Sequence, residues 1–166
     1  TGCGITLLDG LQLEVDSKRG FLWCADFDGF RSLNGKLCDD FVMQFLEATQ
    51  TYVEISPSGT GFKCFFISDR EPEGKFKIRF GPSPFAGDYP DIRKYHHREI
   101  EIFSRGLFLA LTGKLLSLSL DKLNFITGEK LDMLLNILEK WAHKSGGIGL
   151  EKPKTLQNKS SDGETP

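Results

Sequence analysis

The chain of 166 residues has few of the residues that form covalent or metal-held frameworks. Its three histidines include the adjacent His96 and His97, which would point to opposite faces of a strand, so none is a strong metal-ligand candidate. Its four cysteines are widely spaced and form no CxxC pair: Cys3, Cys24, Cys38 and Cys64. This spacing argues against a disulfide framework or a zinc site and favours reduced, half-buried thiols of an intracellular protein.

A long apolar run is also absent. The longest mostly apolar stretch, Leu107 to Leu118, is interrupted by Thr112, Gly113 and Lys114, whereas a membrane-spanning helix needs about 20 apolar residues. No secretory signal peptide is visible. The sequence shows no glycine period, sustained apolar heptad or internal repeat, which excludes collagen and coiled-coil architectures.

The chain has no large excess of charge of either sign. Its 21 Lys and Arg residues stand against 23 Asp and Glu, for a net charge of -2. Proteins that coat nucleic acid or anionic membranes usually carry a basic surplus, so any binding of nucleic acid must be local. Hydrophobic residues make up 39% of the chain and include 14 Phe, enough to build the core of one globular domain.

Apolar periodicity predicts a sheet with two helices. The predicted helices cover Asp39 to Thr49, capped by Asp39 or Asp40, and the Leu131 to Trp141 repeat, with Thr127 as N-cap. The predicted strands cover Thr6 to Val15, Phe21 to Phe27 as a central strand, Thr51 to Ile55 and Phe62 to Ile67 as a hairpin, Lys75 to Phe80, and a pair from Arg98 to Leu111 broken near Arg105-Gly106.

Domain boundaries follow from composition. Apolar residues nearly vanish from Ser145 onward, so we assign residues 1–144 to one domain and 145–166 to a disordered tail or linker. Because the chain begins at Thr1 without Met, we expect the domain to be truncated at its N-terminus.

Asp26 and Asp28 give the strongest local signal for chemistry. Alternate side chains of a strand share a face, so the two carboxylates lie together while Ala25 and Phe27 face away. Carboxylates held against an apolar strand repel each other and lose hydration, so they need a cation, and oxygen ligands suit Mg²⁺ or Mn²⁺. The alternative is a simple strand-end turn, because Asp28-Gly29 is a common turn pair.

Glu101 is the candidate third carboxylate. In the strand pattern from Arg98 to Phe103, the isoleucines face one side and Glu99, Glu101 and Phe103 the other. If Glu101 lies opposite Asp26 and Asp28, the three carboxylates can hold two metal ions about 3.5–4 Å apart, as in phosphoryl-transfer enzymes. The alternative is an exposed glutamate on an edge strand.

The turn Ser56-Pro-Ser-Gly-Thr-Gly-Phe-Lys63 is a candidate phosphate-binding loop. Its glycines allow backbone N–H groups to face an anion, its hydroxyls are donors, and Lys63 adds a charge. It is not a P-loop, because the GxxxxGK[ST] spacing fails and a strand follows. The alternative is an ordinary hairpin turn with polar side chains.

Basic residues concentrate in the next segment. Lys75, Lys77 and Arg79 share one strand face. After a loop rich in proline and glycine, the basic residues Arg93, Lys94 and Arg98 follow. Such a stripe can hold a template strand or nucleotide phosphates, and the alternative is a solvated strand face. Nucleophilic catalysis has no support, since no Gly-x-Ser-x-Gly elbow or Cys/His pairing occurs.

In order and spacing, these motifs resemble the primase-polymerase domain of the archaeo-eukaryotic primase superfamily, in the form found in phage and plasmid replication proteins. The resemblance rests on Asp26-Phe-Asp28, the Thr51 to Lys63 segment, and Ile100-Glu-Ile-Phe103 leading to Leu111-Thr-Gly113, and it covers about Gly4 to Lys114. It implies an RRM-like α/β (α+β) fold of two layers, with a mainly antiparallel sheet, helices on one face and the carboxylates on the other.

The resemblance implies roles for individual residues. Asp26, Asp28 and Glu101 would be catalytic and would bind two divalent ions, Mg²⁺ or Mn²⁺. The resemblance places Ser58, Gly59 and Gly61 in the loop on the nucleotide side. With the other donors and cations nearby, the predicted nucleotide-binding set is Ser56, Ser58, Gly59, Thr60, Gly61, Lys63 and Arg105. The basic strand pattern adds Lys75, Lys77 and Arg79 as candidate contacts to the template or to phosphates. Two positions depart from the family pattern: Lys63 replaces the usual His, and Leu107 the usual Arg, with Arg105 two residues earlier.

The implied activity is that of a DNA primase or polymerase, which adds nucleotides from (d)NTPs to a primer or initiating nucleotide on a single-stranded DNA template. The implied partners include a C-terminal helicase domain or protein but no membrane, in the cytoplasm of a host cell. One alternative is a catalytically weakened relative that binds nucleotide or nucleic acid, as the departures at Lys63 and Leu107 permit. Another is an unrelated RRM-like RNA-binding protein, which should expose paired aromatics on central strands.

Overall fold

A computed structural model describes residues 3–37, 40–88 and 98–154. The helices in these ranges are α1 (Asp40–Thr49) and α2 (Gly128–Lys144). The strands are β1 (Cys3–Leu7), β2 (Gln12–Val15), β3 (Lys18–Asp28), β4 (Tyr52–Ile55), β5 (Phe62–Ser68), β6 (Phe76–Arg79), β7 (Glu99–Phe103), β8 (Leu107–Leu111) and β9 (Gly149–Glu151). The fold is therefore mixed α and β, as the sequence predicts.

The main sheet has the spatial order β4-β5-β3-β7-β6-β9, and β2 pairs with the first part of β3. All of these pairings are antiparallel. β3 is central because its 11 residues are long enough to carry partners on both edges. Asp26 of β3, for example, lies opposite Lys63 of β5 and Glu101 of β7. The predicted central strand and the predicted β4–β5 hairpin are confirmed.

Both helices pack on one face of the sheet. Alternation along β3 turns Trp23, Ala25 and Phe27 into a core that also contains the apolar sides of α1 and α2. The Phe27 ring stacks on Phe62 at 4.5 Å between centroids and meets Phe45 edge-on at 5.0 Å. The prediction of helices on one face of a mainly antiparallel sheet is therefore confirmed.

The start of α2 agrees with the sequence. The Thr127 hydroxyl accepts a hydrogen bond from the Lys130 N–H at 3.2 Å, so the predicted N-cap is confirmed. The predicted cap of α1 falls on Asp39 and on the Asp40 side chain, outside the part of the chain that the structure describes. No helix within the described ranges is long and apolar enough to cross a membrane.

The opposite face of the sheet is partly covered by a two-stranded ribbon of β1 and β8. Leu7 and Leu109 of this ribbon pack with Cys24, Phe65 and Phe103 of the main sheet. The strand pair predicted from Arg98 to Leu111 therefore divides: β7 joins the main sheet and β8 joins the ribbon. The half of the face that bears Asp26 and Asp28 carries the charged residues described below.

Part of the segment predicted to be a disordered tail is ordered. Residues 149–151 form β9, which pairs with β6, and Leu150 packs against the helix-face core. The Ile148 N–H also donates to the Arg79 carbonyl at 3.1 Å. The prediction is wrong for this strand because a single half-buried leucine in a glycine-rich segment gives almost no periodic signal. Residues 155–166 lie outside the described ranges.

Candidate functional site

A row of charged residues crosses the open face of the main sheet. Directly paired residues in antiparallel strands have Cβ atoms about 4.5–5.5 Å apart, so register partners on one face can interact. One residue from each strand, each the register partner of the next, forms the row: Glu54, Lys63, Asp26, Glu101, Lys77 and Glu151. We refer to these six residues as the charged row.

A shorter row lies beside it. Asp28 is the register partner of Glu99, and Glu99 that of Arg79. Asp26 with Glu101 and Asp28 with Glu99 therefore form two adjacent carboxylate pairs, which we name the carboxylate block. The three predicted metal carboxylates thus lie on one face in neighbouring registers, together with Glu99, for which the sequence pattern predicts the same face but no role.

Lysines hold the carboxylates of this block. Lys63 Nζ lies 3.1 Å from Asp26 Oδ2, and Lys75 Nζ lies 2.7 Å from Glu101 Oε2. Lys77 Nζ bridges Glu99 Oε1 at 3.2 Å and Glu101 Oε1 at 3.4 Å. The basic stripe of β6 thus faces the acidic side chains of β7, and its positive charge is largely balanced within the sheet.

The two carboxyl groups at the centre of the row shift in opposite directions. Burial raises the pKa of Asp26, even though the neighbouring Lys63 ammonium acts to lower it. Burial also acts to raise the pKa of Glu101, but the hydrogen bond and charge of Lys75, together with Lys77, lower it overall. At Asp26 the loss of hydration outweighs the effect of the neighbouring lysines on the pKa, whereas at Glu101 the lysines outweigh it.

The donor set of the carboxylate block suits a hard divalent cation, since Mg²⁺ and Mn²⁺ prefer carboxylate oxygens. In the described part of the chain, no group of three or more Asp, Glu, His or Cys side chains converges as metal ligands do. Lys63 and Lys75 hold the oxygens instead, at 3.1 and 2.7 Å. Binding of a metal ion here therefore requires that the carboxylates exchange these ammonium groups for it.

The predicted phosphate-binding loop, residues 56–61, immediately precedes β5 and lies next to the end of β3 that carries Asp28. A Cβ on Gly61 would lie 2.0 Å from the Phe27 carbonyl oxygen, so this close approach requires glycine. The Gly59 N–H donates to the Ser56 carbonyl at 2.9 Å, and the Ser56 N–H donates to the Gly61 carbonyl at 3.1 Å. These amides close the turn, so a ligand at the loop would meet the exposed Ser58 side chain.

Arg31 is a loop neighbour that the sequence analysis missed. Its backbone N–H donates to the Thr60 carbonyl at 3.0 Å, and its Nη1 donates to the Gly59 carbonyl at 2.7 Å. A guanidinium is charged at all physiological pH values and adds a permanent positive charge beside the loop. No motif spacing points to this contact, because Arg31 lies in an irregular segment after β3.

Glu54 ends the charged row as a fully buried carboxylate. Its oxygens accept hydrogen bonds from the N–H groups of Thr112 and Gly113, at 2.9 and 3.1 Å, and from the Tyr52 hydroxyl at 3.1 Å. Thr112 Oγ1 also donates to the Ile55 carbonyl at 2.7 Å. The Thr-Gly segment after β8 is therefore bound to β4, a contact that the sequence analysis did not foresee.

Other predicted site residues lie apart from this loop. Arg105 occupies the turn between β7 and β8 and lines a cavity of about 860 Å³ together with Arg70 and Lys152. No residue of the 56–61 loop lines that cavity, so the structure does not bring Arg105 to the predicted phosphate site. Arg93, Lys94 and both His96 and His97 lie outside the described residues.

No protein-family model matches the chain, and no curated protein matches it. The resemblance to primase-polymerase domains therefore rests on the sequence motifs alone.

Proposed function

We propose that the chain is a metal-dependent nucleotidyltransferase, a DNA primase or polymerase that extends a primer or initiating nucleotide from (d)NTPs on a single-stranded DNA template. One observation carries the proposal: motif segments far apart in sequence converge on one open face. Asp26 lies opposite both Glu101 and Lys63, and Lys63 lies opposite Glu54, which binds Thr112. A cytoplasmic location and a helicase partner belong to the same proposal.

The carboxylate block would hold the metal ions through Asp26, Asp28 and Glu101. When bound, divalent ions lower the pKa of an attacking hydroxyl and stabilise the negative charge of the triphosphate. Lys63 and Lys75 lie within ion-pair distance of the same carboxylates, so both can reach phosphates bound there. Ser58 and Arg31 add a hydroxyl and a guanidinium at the Asp28 end of the site.

The test is incorporation of a labelled nucleotide on a primed single-stranded template, with Mg²⁺ or Mn²⁺ and with EDTA. We expect incorporation by the wild type with at least one metal. The double variant Asp26→Asn/Asp28→Asn should incorporate nucleotide at least about 100-fold more slowly. It removes the carboxylate charges that would hold the metal ions, and these ions stabilise the transition state. Both changes preserve side-chain size, so circular dichroism should show a folded protein.

The matched control is Asp9→Asn/Asp121→Asn, which makes the same chemical change at two exposed positions. Its incorporation rate should equal that of the wild type. Absence of incorporation by the wild type with either metal would refute the enzyme, and equal rates for the two double variants would refute the assignment of the site.

The ion pair between Lys63 and Asp26 favours a second candidate, a catalytically weakened domain that binds nucleotides. Lys63 stands where the family usually has His, and its ammonium lies 3.1 Å from a carboxylate that a metal would need. For this candidate, calorimetry should show binding of dATP without incorporation. Lys63→His, which removes the permanent charge, should then allow incorporation, whereas no gain in activity would contradict this role for Lys63.

A further inference from the structure

Two cavities lie side by side at the β6–β9 edge of the sheet, outside the carboxylate block. Their volumes are about 860 and 380 Å³, and they share Gly74 and the segment 152–154 as a common wall. The larger cavity reaches α2 at Asp132, and the smaller one reaches the open face of β6 at Lys77. We refer to the two cavities together as the edge groove.

Positive charge dominates the edge groove. Seven Lys and Arg residues line the two cavities, against three Asp and Glu. Two of those acids are already bound, because Arg70 pairs with Glu73 at 3.0 Å and with Asp132.

Three cations of the groove have no ion-pair partner among the described residues. Within residues 3–37, 40–88 and 98–154, no ion pair involves Arg105, Lys152 or Lys154. A concave surface with excess charge of one sign concentrates ligands of the opposite sign. In a chain with a net charge of -2, this excess is a local property of the groove.

We propose that the edge groove binds the phosphate backbone of a single-stranded nucleic acid through Arg105, Lys152 and Lys154. Clefts of about 300–1,000 Å³ accommodate a single small molecule, so the two adjoining cavities have room for a few nucleotides of a flexible strand. The β6 stripe contributes less, because Lys77 and Arg79 pair with glutamates of β7.

The edge groove leads to the carboxylate block. Lys75 and Lys77 line the smaller cavity, and their ammonium groups lie 2.7 and 3.4 Å from the carboxylate of Glu101. A strand in the groove would therefore have one end at the candidate active site. This inference rests on the proposed function and deepens it, because the edge groove would be the surface that holds the single-stranded template. Binding of the strand requires neither a metal ion nor a nucleotide.

The groove offers the strand charge without a stacking surface. Phe76 is the one aromatic residue among its described lining, and it is only 3% exposed. Base recognition in single-strand-binding proteins relies on exposed aromatic rings, whereas contacts to phosphate carry no sequence information. We therefore expect binding that depends strongly on salt and weakly on base sequence.

The test is fluorescence anisotropy of fluorescein-labelled oligo(dT) with the full chain in EDTA. Lys152→Gln/Lys154→Gln is compared with Lys122→Gln/Lys140→Gln, which removes the same charge from exposed positions outside the groove. Each lost phosphate contact lowers the slope of log K against log salt by about 0.7, so the groove variant should lose about 1.4. Its affinity deficit should shrink about sevenfold between 50 and 200 mM salt.

The single variant Arg105→Gln should lower the slope by about 0.7. It should leave the thermal midpoint unchanged, since its guanidinium forms no ion pair with the residues that the structure describes. Equal affinities and slopes for the two double variants would overturn the proposal, as would tighter binding of a duplex than of oligo(dT). Because the assay contains no metal and no nucleotide, its failure is distinct from a failure of nucleotide incorporation.

Discussion

Adjacent registers of the main sheet have opposite chemistry. The charged row lies on the open face, and the register one residue along each strand is entirely apolar. We refer to the latter as the apolar row, and its members are Ile55, Phe62, Phe27, Ile100, Ile78 and Leu150. Because side chains alternate along a strand, this row faces the helices. The same six strands thus supply stability from one row and candidate chemistry from the other.

Truncation in the apolar row should have the largest effect. Phe27 is fully buried and its ring contacts those of Phe62, Phe45 and Phe30. Phe27→Ala leaves a cavity in this cluster, and we expect it to lower the free energy of unfolding by about 3–5 kcal/mol. Urea unfolding followed by circular dichroism measures this loss.

The matched control makes the same substitution on the ribbon. Phe108 is 66% exposed, so Phe108→Ala should lower the free energy of unfolding by less than about 1 kcal/mol. Similar losses for both variants would contradict the division of the sheet into a stabilising face and an open face.

Removal of one charge from the charged row should have a smaller effect. Lys63→Met leaves the Asp26 carboxylate without its cation and should cost about 1–3 kcal/mol. This is less than for a fully buried pair, because the Asp26 side chain is 27% exposed. The double variant Lys63→Met/Asp26→Leu should regain most of the loss, since it leaves no unpaired charge.

A double-mutant cycle, measured as free energies of unfolding in urea, separates the contribution of the Lys63–Asp26 ion pair from the cost of leaving one charge unpaired. Asp26→Leu completes the cycle, and the coupling between the two positions should be favourable. A double variant that is as unstable as the sum of its single changes would show that the ion pair contributes nothing.

The smallest expected effect comes from the ionisation of buried thiols on the two faces of the sheet. Burial raises the pKa of Cys64, on the helix face, from 9.0 to about 12, and burial together with the Asp26 charge raises that of Cys24, on the other face. A thiol with a raised pKa stays protonated in the folded chain and ionises on unfolding. Its contribution to stability is therefore complete below pH 9 and is lost as the pH rises.

Between about pH 9 and pH 10, ionisation of the Cys64 thiol on unfolding should lower the free energy of unfolding by about 1 kcal/mol. Cys64→Ala should remove this decrease from a plot of the free energy of unfolding against pH. The cavity that the substitution leaves adds a loss of stability that does not depend on pH. Alkylation at neutral pH, mapped by mass spectrometry, should modify the exposed Cys3 and spare Cys24 and Cys64 until the chain unfolds. An unchanged alkaline slope would contradict the burial of the Cys64 thiol.

Sequence patterns predict the features of this fold that depend on local alternation. β3, the β4–β5 hairpin, the N-cap of α2 and the division of faces around Asp26 follow from short-range rules. The β1–β8 ribbon and β9 were missed because strand pairing is non-local: β8 meets residues about a hundred positions earlier, and β9 relies on Leu150 alone.

The candidate site likewise has features that local sequence patterns predict and features that they do not. The shared face of Asp26 and Asp28 follows from strand period, and the meeting with Glu101 is a consequence of register that the motif resemblance anticipated. The lysine partners of the carboxylates and the amides that hold Glu54 depend on neighbouring strands and loops, for which a single sequence gives no rule. The edge groove is assembled from four segments that lie far apart in the sequence, so no local pattern predicts it.

The two rows also constrain how the sheet assembles. If any one strand slipped by a single residue against its neighbours, its charged side chain would turn into the phenylalanine core and an Ile, Phe or Leu would turn outward. An unpaired charge in an apolar interior is strongly unfavourable, so a sheet with a misaligned strand is penalised when the helices pack on it and exclude water. Whatever it binds, the charged row therefore serves the chain during folding as a check on strand alignment.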